Sequence, residues 1–373
     1  MITLKPVHTK AEVKAFVKFP FSLYKDNAYW VPPIIKDEME TFDKDKNPVF
    51  QDANAWLFLA IQNNKIVGRI AAIINHIETE EQGVKKMRFG WFDFIDDKNV
   101  SKALLDKVAE IGKEHQLTYM EGPVGFSNLD KVGVLTEGFD EIGTMITWYN
   151  HPYYKHHLEH WGFTKEKEYM ENKFPFKNVK LEYFDRVQEI IKKRYGLRPL
   201  NFTKTKDVLP YADEMFDLFN ESYAKLSSFV KITEIQKAYF KKKYISFINP
   251  EYIKFVVDKN DKLVAFSIVM PSFSEALKKA KGSLFPFGIF HLLHARKYSK
   301  DVIFYLIGVH PNYQNKGVHG ILFKECYTTF TEKGIQNCIR TPELEENIAI
   351  KQLWKNFDPV VYARRRTYRK ELL

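Results

Sequence analysis

The feature that most limits how this chain can fold is an internal repetition. Residues 58–70 and 255–267 align without a gap, with Phe58 on Phe255, Lys65 on Lys262, Ile66 on Leu263 and Val67 on Val264. Each stretch is an apolar run, a pair of polar turn-formers (Asn63 and Asn64, or Asn260 and Asp261) and a second apolar run, which is the pattern of a β-hairpin. The segments after the two hairpins also match. In the first half, an aromatic strand over 89–95 leads to Ala103, Leu104, Val108 and Ile111 at helical spacing over 100–115, then a short strand at 118–120 and a helix over 152–161. In the second half, a strand over 302–309 leads to a helix over 317–333 with Val318, Ile321, Leu322 and Cys326 on one side, a strand over 337–340 and a helix over 345–356. Hairpin, strand, helix, strand, helix, written twice, predicts two units of one α/β fold. The boundary falls between about 175 and 200, around Pro175 and before Arg198 and Pro199. Long helices from Leu181 and from Val208 open the second half, so the halves are 1–180 and 181–373.

Composition is compatible with two cores. Of 373 residues, 45% are hydrophobic and 15% aromatic, so global disorder is excluded. Two cysteines, Cys326 and Cys338, cannot build a disulfide framework or a four-cysteine zinc site. The formal charge of +10 favours an anionic partner. The first residues lack the apolar segment of a secretory signal, and no apolar run approaches the ~18–20 residues of a membrane helix. A cytoplasmic protein without a membrane span is expected.

The segment 307–322 carries the chemistry. Its strand ends before Pro311, which lacks a ladder donor. Gln314, Asn315 and Lys316 form a polar loop, and Gly317 and Gly320 stand where a helix begins. Glycine lets backbone N–H groups approach a ligand closely, and a helix N-terminus with unsatisfied N–H groups suits a pyrophosphate. Lys316 adds a full positive charge.

These residues resemble the acyl-CoA signature of the GCN5-related N-acetyltransferase superfamily, Gln/Arg-x-x-Gly-x-Gly/Ala after the fourth strand. Gln314, Gly317 and His319 occupy its fixed positions; His319 departs from it, with Gly320 one residue late. Downstream, Asn347, Leu353 and Phe357 resemble the superfamily's second motif, and 154–163, ending in Gly162 and Phe163, resembles the same motif in the first half. The resemblance covers about 55–175 and 250–360. It implies an α/β (α+β) fold of two acyl-CoA N-acyltransferase-like domains, each a mixed, largely antiparallel sheet flanked by helices. It implies an acetyl-CoA or other acyl-CoA donor, held by Ile307, Val309, Gln314, Asn315, Lys316, Gly317, Val318, His319, Gly320 and Asn347. It also implies direct attack by an amine on the thioester, with backbone N–H groups near 307–309 polarising the carbonyl. The acceptor amine is not identified.

The resemblance breaks at proton transfer. A Tyr usually protonates the leaving thiolate, but Trp354 stands there, and an indole N–H has no useful acidity. Tyr362 and His310 are the substitutes the sequence offers, the latter for its pKa near neutrality. The first half has Asp96 and Asp97, and no glycine, where phosphates would bind, so it reads as a degenerate copy. Two alternatives remain: an aminoacyl-tRNA-dependent transferase of the same tandem fold, or a non-catalytic CoA-binding module. His156 and His160 share one helix face, but no HExxH pattern or third ligand accompanies them, so no metal is expected. The basic runs at 241–243 and 364–366 read as solvated faces, and nucleic acid is not the expected partner. Phe285, Pro286, Phe287 and Gly288 have no counterpart in the resemblance.

Overall fold

The computed structural model describes residues 1–226, 229–245 and 248–372. The first half supplies β1 (Thr3–Pro6), β2 (Ala53–Gln62), β3 (Lys65–Asn75), β4 (Lys86–Phe94), β5 (Tyr119–Gly122), β6 (Val134–Glu137) and β7 (Thr164–Pro175). The second supplies β8 (Arg198–Asn201), β9 (Ile253–Val257), β10 (Leu263–Pro271), β11 (Asp301–Val309), β12 (Asn337–Arg340), β13 (Glu343–Leu344) and β14 (Val360–Glu371). The two repeated stretches are the hairpins β2–β3 and β9–β10. Asn63 and Asn64 turn the first with φ of 50° and 59°, the left-handed pair that a two-residue hairpin loop requires. The second is turned by a longer loop, with Asp261 at φ 62° and Asp258 accepting from Asn260 and Lys262.

The strands form one sheet in the order β1-β2-β3-β4-β5-β14-β7-β12-β11-β10-β9-β8, with β6 beside β14 and β13 beside β7. Read from its two ends, the order is the same: β1 corresponds to β8, β2 to β9, β3 to β10, β4 to β11 and β5 to β12. The symmetry is completed by an exchange. The slot beside β5 is taken by β14, the last strand of the second half, and the slot beside β12 by β7, the last strand of the first. β7 and β14 then pair antiparallel along the middle, Val360 opposite Lys173 through Arg369 opposite Thr164.

This corrects the reading of 364–366 as a solvated face. Arg364, Arg365 and Arg366 lie in a central strand. Arg366 stands directly opposite Glu168 and binds it at 2.8 Å. Arg364 reaches Glu345 at 2.9 Å. Arg365 is buried against a buried Glu171 and also donates to the Trp148 carbonyl. Directly opposed charges of unlike sign favour the pairing of the two exchanged strands.

The helices after β4 and β11 cover their sheets as the spacing predicts. Lys98–Glu114 buries Val100, Leu104, Leu105, Val108 and Ile111, and His319–Lys333 buries Ile321, Leu322, Phe323, Cys326 and Phe330. Both fourth strands are bulged: Trp91 adopts φ 46° on β4, and the register of β10 against β11 shifts at Tyr305. Beyond the bulges each fourth strand parts from its parallel neighbour. β4 pairs with β5 only over Lys86, Met87 and Arg88, and β11 with β12 only from Asp301 to Phe304. Each half thus has a wedge along the end of its fourth strand.

Candidate functional site

The two wedges differ. In the first half the chain fills its own. Val124 N donates to the Phe89 carbonyl, and Trp148, Tyr149, Asn150 and Tyr154 crowd Trp91, Phe92 and Asp93, leaving about 10 Å³, no more than one water's space. Beneath it, Asp93 accepts from Tyr24 at 2.7 Å and Arg69 at 2.8 Å. Burial, with the Asp93 charge nearby, pushes both Tyr24 and Tyr154 well above the ordinary phenol pKa. This is a closed polar core.

The helix ends at the two wedges differ in the same sense. Asp97 caps Lys98–Glu114, its carboxylate accepting from Asn99 N at 2.8 Å, so an anion already occupies that N-terminus. Asp96 is held by His157 at 2.8 Å, whose other ring nitrogen lies 2.8 Å from Ser101 Oγ. The helix His319–Lys333 has no side-chain cap. Gly320 N and Ile321 N turn back to the carbonyls of Gly317 and Val318. The N–H groups of Gly317, Val318 and His319 find no acceptor among the described residues. Uncapped N–H groups at a helix start are donors waiting for an acceptor.

Gly317 is required twice over. Its φ is +75°, and a Cβ there would stand 2.5 Å from Ile191 Cδ1. Ile191 belongs to the helix Leu181–Tyr195, which packs across the loop; Phe184 and Val187 approach Gly320. The exposed Lys316 keeps its ammonium 5.3 Å from the Tyr195 ring and 5.7 Å from that of Tyr313. His319 is half-buried, and desolvation pushes its imidazole below the usual pKa, so it adds no lasting charge at neutral pH. Gln314 is exposed and folds back on its own strand, its Nε2 donating to the Val309 carbonyl at 3.1 Å.

The edge of β11 is arranged by three consecutive residues that sequence reasoning missed, at the end of the helix Ala212–Tyr223. Glu221 Oε2 lies 3.3 Å from His310 Nε2, Ser222 Oγ donates to the Val309 carbonyl at 3.1 Å, and Tyr223 Oη donates to the Ile307 carbonyl at 3.0 Å. In extended backbone the N–H and C=O of one residue point to the same edge. The N–H groups of Ile307 and Val309 therefore face the wedge. Nothing in the spacing of Glu221, Ser222 and Tyr223 signals this contact, which spans more than eighty residues of chain.

The structure thus brings together Ile307, Val309, His310 and 314–320. Asn347 lies just before the helix Ile348–Trp354, its carbonyl accepting from Lys351 N. Trp354 is a core residue, with ring centroids 4.8 Å from Phe304 and 4.9 Å from Phe323. Tyr362 lies on β14, three strands from β11 across β7 and β12, or about 14 Å at the usual strand spacing. Its hydroxyl donates to Glu171 at 3.0 Å, and burial beside that carboxylate pushes its pKa well above the ordinary phenol value. It is neither near the loop nor inclined to release its proton. Of the histidine stretch, His157 is buried in the first half while His156 and His160 are exposed. No group of three or more His, Cys, Asp or Glu that could hold a metal ion occurs among the described residues, and no described helix is long and apolar enough to cross a membrane.

The chain superposes over its whole length on a tandem GNAT protein from the clavulanic acid biosynthesis pathway, with a TM-score of 0.60, 11% identity and 99% of that chain covered. This is the tandem GCN5-related N-acetyltransferase fold. A GCN5-related N-acetyltransferase from Sphaerobacter thermophilus matches this tandem fold too, with a TM-score of 0.55, 8% identity, and 100% and 96% of the two chains covered. Among curated proteins, YghO of Escherichia coli (strain K12) is 26% identical over 97% of this chain and 94% of its own. A bacterial ceramide synthase of Caulobacter vibrioides is 25% identical over 84% of this chain and 82% of its own. No protein-family model matches the sequence. The mixed sheet with helices on its faces and the tandem architecture agree with the sequence expectation.

Proposed function

We propose that this protein is an acyl-CoA-dependent N-acyltransferase whose second half holds the donor. The observation that carries this is the contrast between the helix starts: Asp97 fills one with its own carboxylate, while Gly317, Val318 and His319 leave three N–H groups open at the other, beside Lys316. These residues fit the diphosphate of CoA, and acetyl-CoA is the simplest donor. The N–H groups of Ile307 and Val309 are placed to polarise a thioester carbonyl along β11, and Tyr223 and Ser222 hold that edge in register. Amine attack forms the amide bond, breaks the C–S bond and leaves a thiolate that needs a proton. Of the two groups the sequence offered for proton transfer, the role is assigned to His310 beside the loop: its Nδ1 accepts from Asn312 N at 3.2 Å, so the proton for the thiolate would come from Nε2, which lies 3.3 Å from Glu221. The name of the ceramide synthase relative supports transfer to nitrogen, since a ceramide is an amide, and favours an apolar amine as acceptor.

The test is calorimetric titration with CoA and acetyl-CoA. Lys316→Glu is expected to weaken binding at least tenfold, and Asp97→Ala to leave it nearly unchanged. The reverse result, with both variants folded, places the donor in the first half. Binding without turnover over a panel of amines favours a CoA-binding module instead.

A further inference from the structure

The connection from β10 to β11 contributes to neither wedge. It forms two helices, Ser274–Ala280 and Gly288–Tyr298. One side is anchored: Phe273, Ala276, Leu277, Ala280 and Leu292 pack against Val31 and Ile34 of the first half, and Ile35 N donates to the Gly282 carbonyl. The other side is apolar and bare. Phe285 is 76% exposed, Phe287 70%, Phe290 65% and Leu293 48%. Phe285 and Phe287 stand at the turn between the helices, while Phe290 and Leu293 are three apart, on one helix face. The helix Gly288–Tyr298 therefore carries apolar residues both toward the protein and away from it. A soluble surface rarely gathers bulky apolar groups in this way unless something covers them.

The charges around the patch are predominantly positive; the one acid of the two helices, the exposed Glu275, pairs with Lys278 at 3.7 Å. Residues 276–300 contain six Lys and Arg and no Asp or Glu. Lys279, Lys281 and Lys297 are exposed and make no ion pair among the described residues. Two such faces set against each other would repel, which disfavours a second copy of the chain as the cover. Aromatic and leucine side chains at a protruding turn, with lysines beside them, match the interfacial region of an anionic bilayer: apolar groups enter the acyl boundary and ammonium groups meet phosphate. We infer that this helical hairpin docks the protein on an anionic lipid surface, through Phe285, Phe287, Phe290 and Leu293 with Lys279, Lys281 and Lys297. This stands independently of the donor site.

The experiment is co-sedimentation of the full chain with vesicles of phosphatidylcholine alone and with a third phosphatidylglycerol, at low and high salt. Binding is expected to the anionic vesicles and to weaken as salt rises. Phe287→Ser with Phe290→Ser should reduce it by about a hundredfold, roughly tenfold for each ring withdrawn from the apolar layer. Lys279→Glu with Lys281→Glu should remove most of the preference for anionic lipid. Both pairs are at exposed positions, so thermal midpoints should match the parent. As a check independent of folding, Phe287→Trp fluorescence should be quenched by brominated acyl chains. Three results overturn the inference: undiminished binding by the Phe pair, no quenching of the tryptophan, or a concentration-dependent dimer abolished by the Phe pair in a protein that ignores vesicles.

Discussion

Arg365→Ala tests the exchange of strands at its most loaded point. Arg365 and Glu171 are each 2% exposed and meet diagonally across β14 and β7, Arg365 standing opposite Tyr169 and Glu171 opposite Ala363. Removing the guanidinium leaves Glu171 buried with, among the described residues, only the Tyr362 hydroxyl at 3.0 Å, and frees the Trp148 carbonyl. Breaking a buried pair from one side costs about 3–5 kcal/mol, because the remaining charge has no counterpart. At ~2.1 cal/mol/K per residue, a single cooperative unit of 373 residues shifts by roughly 1.3 °C per kcal/mol, so the thermal midpoint should fall by roughly 4–6 °C. Differential scanning calorimetry with a urea series measures it. Each half completes the other's sheet, so any transition seen in the parent should shift as one. The double variant Arg365→Met, Glu171→Leu should recover most of the loss, since no charge is then stranded. A fall under about 1 kcal/mol would show the pair to be solvated. Two transitions, only one of them shifted, would show that the halves unfold separately and that the exchanged strands do not couple them.

Gly317→Ala should destabilise the ligand-free protein by about 1–3 kcal/mol, from the left-handed backbone and the contact with Ile191, measured by urea midpoint; an unchanged midpoint would mean that the loop relaxes freely. Burial alone would push the Glu78 carboxyl up, but Arg88 and Lys86 outweigh it and hold its pKa at about 2. That value lies below the ~4.3 of an unfolded chain, so Glu78 contributes stability above about pH 4.3 that is lost as pH falls toward 2. Glu78→Gln should be less stable at neutral pH and show a flatter acid limb in that window, and an acid limb as steep as the parent's would sink the assignment. Burial pushes the Cys326 thiol up to about 12, so a thiol reagent at pH 8 should label it only as fast as the protein unfolds; labelling within seconds in native buffer would place it at the surface.

The sequence by itself determined the elements and the loop, because both are local. Asn63 and Asn64 specify a left-handed turn within four residues, and Val100, Leu104, Val108 and Ile111 mark one helix face within a dozen. Gly317 and the polar 314–316 can be read as a cradle without knowing what surrounds them. The proton-transfer choice failed for Tyr362, because nearness along the chain says nothing about how many strands lie between. β14 was hidden for a physical reason. Its buried positions, Ala363, Arg365 and Thr367, alternate as in any strand, but an arginine at the centre of that alternation mimics a solvated basic run, and only Glu171, 194 residues earlier, makes it a core residue. The tertiary structure alone decided that β7 and β14 would change places. An antiparallel edge offers hydrogen-bond groups common to all backbone, so either strand satisfies either edge. What the exchange itself adds are pairs such as Arg364 on β14 with Glu137 on β6, 3.4 Å apart, which meet only when both halves are folded. The same holds for Glu221, Ser222 and Tyr223 at the end of β11: hydroxyl and carboxylate groups that could bond to water anywhere become site residues only where packing sets a helix end against a strand with an open edge.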